Sequence, residues 1–246
     1  YWHWSPDKGW AMNMPIQGWN EALIVYVLAA SSPTHPIGRE VYAEGWARGG
    51  AMRNGKLFYD TVLPLGEDYG GPLLWAQYSF LGLNPRGLSD AYADYWEQVC
   101  NHTRINYAYC VDNPKGYAGY GADCWGLTAS DIPDGYTASS PTNDRGVIAP
   151  TAALSSMPYT PDESMAALRF FYYKLGDKLW SDYGFIDAFD LTTGWFDRGM
   201  HIAIDQGPIV VMIENYRTGL PWNLFMSDKD VQRGLAELGF TVEAGS

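Results

Sequence analysis

Three acidic residues stand where a carboxyl group could do more than meet solvent. Glu21 follows Trp19 and Asn20 at the head of the apolar run Ala22–Ala30. Apolar rings beside a carboxyl desolvate its charged form, raise its pKa and suit a proton donor. A helix N-terminus acts in the opposite sense, by stabilising the anion. Asp205 begins a second apolar segment, just before Gln206-Gly207-Pro208. There the positive helix end favours the ionised form, which suits a base. Glu214 sits inside that segment, in Ile213-Glu214-Asn215-Tyr216-Arg217. It needs a partner such as an arginine or a ligand hydroxyl. Hydrolysis of a glycosidic bond uses two carboxyls, one to protonate the leaving oxygen and one as base or nucleophile. Each candidate also has a plainer use. Glu21 would satisfy free N–H groups in a first helical turn, and Asp205 would be a helix cap. Local physics supplies candidates here without choosing a reaction.

Other chemistries find less support. The chain has no Gly-rich phosphate cradle, no G-x-S-x-G elbow and no H-E-x-x-H. His3, His35, His102 and His201 show no paired metal spacing and are expected at the surface or hydrogen-bonded. Asp112, Asp123, Asp131 and Asp134 lack the spacing of an EF-hand loop and are expected in turns and caps. No metal and no cofactor are expected. Three cysteines, Cys100, Cys110 and Cys124, cannot all pair within one chain. Buried free thiols are expected, with a 100–110 or 110–124 disulfide as the alternative.

The charge balance, 16 basic against 28 acidic residues for a net −12, argues against nucleic acid or an anionic membrane as main partner. No apolar run approaches the roughly 18–20 residues of a transmembrane helix. At 47% hydrophobic and 18% charged, the chain can bury a sizeable core. Eleven Trp and 18 Tyr suit flat, partly wet ligands such as sugars, or equally a large aromatic core. The first residue is Tyr1, and no signal peptide is visible.

The elements that must position these residues read as mainly helical. Trp19–Ala30 predicts a helix capped by Asn20 or preceded by Gly18, and stopped by Ser31-Ser32-Pro33 and Pro36. Glu40–Arg48 predicts a short helix ended by Gly49-Gly50. Residues 54–87 carry Gly and Pro at short intervals, predicting loop with a short hairpin. Ser89–Asn106 predicts a longer helix capped by Ser89, with Tyr92, Trp96 and Val99 on one stripe. Residues 112–150 show little periodicity, and a long irregular stretch of this kind is usually functional. Thr160-Pro161-Asp162-Glu163 opens a helix running to about Leu175 and stopping at Gly176, with a short helix over Asp177–Tyr183 to follow. Asp205–Arg217 predicts another, stopped by Gly219, and Ser227 caps a last one ending near Gly239. About seven helices with no repeat or linker indicate one domain over residues 1–246.

Four strings together resemble one family. They are GWNEALIVYVLAASSPTHPI (18–37), YCVDNPKGYAGYGADCWGLTASDIPDGY (109–136), IAPTAALSSMPYTPDESMAALRFFY (148–172) and IDQGPIVVMIENYRTG (204–219). They look like the glucoamylase-like domain of glycoside hydrolase family 144, whose characterised members act on β-1,2-glucans. The domain is also similar to the glucan-processing region of cyclic β-1,2-glucan synthases. The resemblance implies an (α/α)6 toroid with its cleft at one end. Since that toroid has twelve helices, it implies that this chain corresponds to the C-terminal portion.

The resemblance further implies an inverting hydrolase, in which Glu21 matches the acid of the W/Y-N-E-A motif and Asp205 the base of the I-D-Q-G motif. Direct base catalysis would want the carboxyls roughly 6.5–9.5 Å apart, and a relay through water or a sugar hydroxyl would allow more. Trp125, Asp131, Asp134 and Tyr136 fall in the W-G-L-T-A-S-D-x-P-D-G-Y loop. There rings would stack on glucosyl units and acids would bind hydroxyls, unless the loop only packs the end of the toroid. Trp19, Gln77, Tyr78, Glu214, Asn215, Tyr216 and Arg217 are further candidates for the cleft wall. The implied partner is a β-glucan oligosaccharide or polysaccharide, met in the periplasm or outside the cell. A transglycosylase on the same polymer and a non-catalytic glucan-binding protein are the competing expectations.

Overall fold

The computed structural model describes residues 1–243. It is mainly helical, with strands only in short two-stranded pairs among the described residues. The helices are α1 (Leu23–Ser31), α2 (Tyr95–Asp112), α3 (Pro150–Leu154), α4 (Pro161–Tyr173), α5 (Gly176–Leu179), α6 (Ala203–Thr218), α7 (Leu220–Met226) and α8 (Lys229–Leu238). Among the described residues no helix is long and apolar enough to cross a membrane.

Several boundaries differ from their predicted places. Asn20 Oδ1 accepts from the Ala22 N–H at 2.8 Å and its Nδ2 donates to the Gln17 carbonyl. That closes a turn before α1, so Glu21 sits in the turn and the helix starts at Leu23. Helix α2 is capped by Asp94, whose Oδ1 accepts from the Glu97 N–H at 2.8 Å. The predicted cap Ser89 instead pairs with Thr241 in a short antiparallel ladder. Asp228, not Ser227, caps α8 by accepting from the N–H groups of Asp230 and Val231. Gly176 opens α5 rather than merely ending α4. The Glu40–Arg48 segment is a π-helical turn over Val41–Trp46 followed by a 3-10 turn over Arg48–Gly50. The start of α4 at Pro161 and the stop of α6 at a left-handed Gly219 (φ 67°) fall as predicted.

Two apolar clusters hold these elements. One gathers Trp19, Leu23, Val27, Trp46, Phe80, Tyr95, Trp222 and Leu235, and joins α1, α2, α7 and α8. The other gathers Trp125, Leu127, Leu154, Phe171, Phe185 and Phe189, and joins α2, α3 and α4 to the 120s loop. The 3-10 segments Leu73–Ala76 and Ser79–Leu81 run between them. Leu73 belongs to the second cluster and Ala76 and Phe80 to the first. Helix α6 packs on α3 and α7, so its N-terminus is fixed where the clusters meet. The three cysteines are buried and unpaired.

Gly126 shows how tightly the 120s loop is set. Its φ is +125°, and an added Cβ would lie 2.8 Å from Ala152 Cβ and 3.0 Å from the Ala153 nitrogen. Gly194 also has positive φ, at +74°, but open space around it. Gly126→Ala should therefore cost about 2–4 kcal/mol through strain and overpacking. Gly194→Ala should cost only about 1–2 kcal/mol, from its backbone alone. Chemical denaturation of the two variants checks the order, and equal losses would contradict it.

Candidate active site

Four chain segments bring carboxyls to one place. An antiparallel hairpin, Ala129–Ile132 with Gly135–Ala138, sets Asp131 directly across from Tyr136. Asp187 lies between the short strands Gly184–Phe185 and Phe189–Asp190, with apolar Ile186 and Ala188 on either side. Asp197 follows the strand Trp195–Phe196, its N–H donating to the Ala188 carbonyl at 3.1 Å. Asp205 occupies the first turn of α6. Thr151 of α3 locks that turn by donating its hydroxyl to the Asp205 carbonyl at 2.6 Å.

Asp205 is fully buried. Its Oδ1 accepts the Tyr78 hydroxyl at 2.7 Å. Its Oδ2 is buried with no conventional donor among the described residues, as is Oδ1 of Asp187, and the two carboxyls lie within hydrogen-bonding reach of each other. Two carboxylates in that contact cannot both be ionised at modest cost, so the pair holds one proton between them. Burial pushes the Asp187 carboxyl up to about 8, against the Asp131 N–H donating to its Oδ2 at 2.8 Å. Burial also raises Asp205, while the bonds from Tyr78 and Asp187 favour its anion. Asp187 is therefore the protonated partner and Asp205 the anionic one. Burial and the neighbouring Asp131 push Asp197 up to about 6. No lysine or arginine forms an ion pair with any of the four among the described residues.

Glu21 comes from the opposite part of the chain and acts electrostatically on Tyr136, as the cluster does. Ser79 Oγ donates to its backbone carbonyl, which ties the turn before α1 to the segment carrying Tyr78. Its half-buried carboxylate takes no hydrogen bond or ion pair among the described residues. Tyr136 feels Asp205, Asp187, Asp131 and Glu21 together. After desolvation these charges are what push its phenol up to about 12. Tyr136 is 56% exposed, so its ring is open to solvent beside the acids. Asp134 is exposed in the turn of the same hairpin.

Several predicted cleft residues lie elsewhere. Trp125 is fully buried, and its Nε1 donates to the Glu163 carbonyl at 3.2 Å. With no open ring face it packs α4 and cannot stack on a sugar. Trp19 is buried in the first cluster and donates to His102 Nδ1 at 3.3 Å. His102 Nε2 donates to the Gly71 carbonyl, and burial holds this imidazole down to about 4. Gln77 is buried and donates to Ala152 O and Ser156 Oγ, both at 2.9 Å, so it braces α3. Glu214 pairs with Arg217 at 3.2 Å and accepts from Thr218. Nine residues of helix, about 14 Å, separate it from Asp205. Tyr216 and Arg217 are exposed at that far end, and Asn215 Nδ2 donates to the Leu81 carbonyl.

Asp187 and Asp197 were not singled out from the sequence. The available signal was an acid inside the apolar run Phe185-Ile186-Asp187-Ala188-Phe189, since a buried carboxyl needs a specific partner. Asp131, Asp187 and Asp197 each bring a carboxylate oxygen within 4.8 Å of the others. One oxygen of Asp187 already accepts a backbone N–H, and burial pushes the Asp187 carboxyl up to about 8 and Asp197 up to about 6, so the group shares protons near neutral pH. The folded chain holds protons on Asp187 up to about pH 8 and on Asp197 up to about pH 6, whereas an unfolded aspartate releases its proton near pH 4. The native state binds more protons across that window, so its stability is greatest at the acid end and falls as pH rises. The melting temperature should drop between about pH 5 and pH 8, and Asp187→Asn should flatten the upper part of that slope. An unchanged slope in the variant would contradict the assignment.

Comparison with known proteins matches this chain to one family along most of its length. The Glycoamylase family model, described as "Putative glucoamylase", matches residues 13–229. A Bacteroides uniformis crystal structure of that same description is 63% identical, with a TM-score of 0.96, over 98% of this chain and 59% of that one. The endo-β-1,2-glucanase from Chitinophaga pinensis, solved with sophorotriose and glucose, is 55% identical with a TM-score of 0.95, over 98% of this chain and 59% of that one. The exo β-1,2-glucooligosaccharide sophorohydrolase (non-reducing end) of Parabacteroides distasonis is 46% identical over 97% of this chain and 36% of its own length. The chain thus spans between about a third and three fifths of these relatives. It belongs to the glucoamylase-like family of the glycoside hydrolase family 144 type.

Proposed function

We propose that residues 1–246 form a single glucoamylase-like catalytic unit, the C-terminal portion of an (α/α)6 toroid, which hydrolyses β-1,2-glucan with inversion. We further propose that it acts in the periplasm or outside the cell, where a polymeric glucan is met. The observation that carries the reading is Tyr136. One exposed ring lies within electrostatic reach of both Glu21 and Asp205, residues 184 positions apart in the chain. An exposed ring suits sugar binding, and glycosidic cleavage uses two carboxyls. The names of the relatives, which act on β-1,2-glucans and their oligosaccharides, supply the linkage.

In this reading Glu21 is the general acid. Its carboxyl has no hydrogen-bond or ion-pair partner among the described residues and so can meet the leaving oxygen. Asp205 is the base, kept anionic by the Tyr78 and Asp187 donors. Asp131 and Asp134, on the same hairpin as Tyr136, bind sugar hydroxyls. Hydrolysis predicts linear fragments, whereas transfer to a second sugar would give cyclic or lengthened products.

The intact protein should shorten linear β-1,2-glucan and leave starch untouched, with the new reducing end formed in the α configuration. Glucose release from starch alone, or a β product followed by proton NMR, would contradict it. Glu21→Gln and Asp205→Asn should each lower kcat by about a hundredfold or more while glucan still binds. If these residues were only first-turn partners, kcat would hold and the cost would be about 1 kcal/mol of stability.

A further inference from the structure

Asp205 has a difficulty as a base that its position creates. Its carboxyl is fully buried, so it cannot itself touch a water standing in the cleft. Each exit from it leads through another side chain. Oδ2 is buried with no donor among the described residues, and the neighbouring acid is the Asp187 carboxyl. Asp187 is 1% exposed, and its Oδ2 is held by the Asp131 N–H at 2.8 Å. That route ends inside the protein. Oδ1 accepts the Tyr78 hydroxyl at 2.7 Å. Tyr78 is half-buried, and its phenol neighbours Tyr136, the exposed ring of the site.

We propose that Tyr78 is a catalytic residue, the relay through which the attacking water gives its proton to buried Asp205. The inference rests on the reading of Asp205 as the base. A phenol has one O–H to donate and lone pairs to accept with, so it can donate to Asp205 and accept from water at once. As the water oxygen bonds to the anomeric carbon, its proton passes to Tyr78 Oη, and the Tyr78 proton passes to Asp205 Oδ1. The bond from that carbon to the leaving oxygen breaks, and the leaving oxygen takes the proton of Glu21. Tyr78 is unchanged at the end, Asp205 is protonated and Glu21 is anionic. Exchange with solvent restores both, Asp205 again through Tyr78.

Burial and the adjoining Asp205 raise the Tyr78 pKa, which keeps the phenol neutral and able to donate. The 3-10 segments on either side of Tyr78 are pinned to both cores. Tyr159 donates to the Ala76 carbonyl at 2.9 Å, and Ser79 bonds the Glu21 carbonyl. The segment that carries the relay therefore also positions the turn that carries the acid.

The test compares Tyr78→Phe, Asp205→Asn and wild type for cleavage of linear β-1,2-glucan in the intact protein, with melting temperature measured on each. Tyr78→Phe keeps the ring and should lower kcat about a hundredfold with little change in KM. A more acidic difluorotyrosine incorporated at position 78 keeps the hydroxyl. It should restore cleavage with kcat changed and KM held, because the relayed proton is more acidic, a kcat-only effect that a purely structural role would not produce. If Asp205→Asn is inactive but Tyr78→Phe cleaves within about threefold of wild type, the relay is overturned and the base survives. If Asp205→Asn cleaves normally, the base and the relay fall together.

Discussion

Four carboxyl groups cannot be gathered out of water without something to offset their repulsion and lost hydration. Asp131, Asp187, Asp197 and Asp205 are so gathered, with no lysine or arginine bonded to any of them among the described residues. The chain offsets the cost with donors and protons. Tyr78 donates to Asp205, the Asp131 backbone donates to Asp187, and Asp187 shares a proton with Asp205. The same arrangement makes the four acids unequal, so one stays anionic beside a neighbour that stays protonated. Differing protonation states in one place are what acid–base chemistry needs.

The scaffold can be read as the means of holding that inequality. Helix α6 delivers Asp205 at a fixed depth because Thr151 of α3 bonds the same turn. Helix α3 is in turn braced by Gln77, one residue before Tyr78. The 120s loop lies against α3 so closely that only glycine fits at position 126. Fully buried Trp125 fixes the same loop from α4. These contacts are of packing type, and their rigidity is what keeps a 2.7 Å hydrogen bond aimed at the buried carboxylate.

Much of this order was legible in the residues. The helix starting at Pro161 and the stop at Gly219 follow from backbone rules that act over a few residues. The apolar run after Glu21 and the Asp-Gln-Gly-Pro start near Asp205 marked both candidates. What escaped the sequence depended on distant partners. Ser89, the expected cap of α2, is drawn into a ladder with Thr241, 152 residues away, and Asp94 caps the helix instead. Trp125 and Gln77 have the chemistry of cleft residues, but long-range packing buried them. Asp187 and Asp197 became part of the site only when the 180s and 190s folded back onto the 129–138 hairpin, a contact that no periodicity records.

A β-1,2-linked oligosaccharide bound to the intact Glu21→Gln protein and solved by crystallography would be the most direct test. The scissile oxygen should lie within hydrogen-bonding distance of residue 21. A water on the opposite face of the sugar should touch the Tyr78 hydroxyl, with a glucosyl ring against Tyr136. An oligosaccharide seated away from Tyr136, with no water or hydroxyl connecting it to Tyr78, would contradict the whole arrangement.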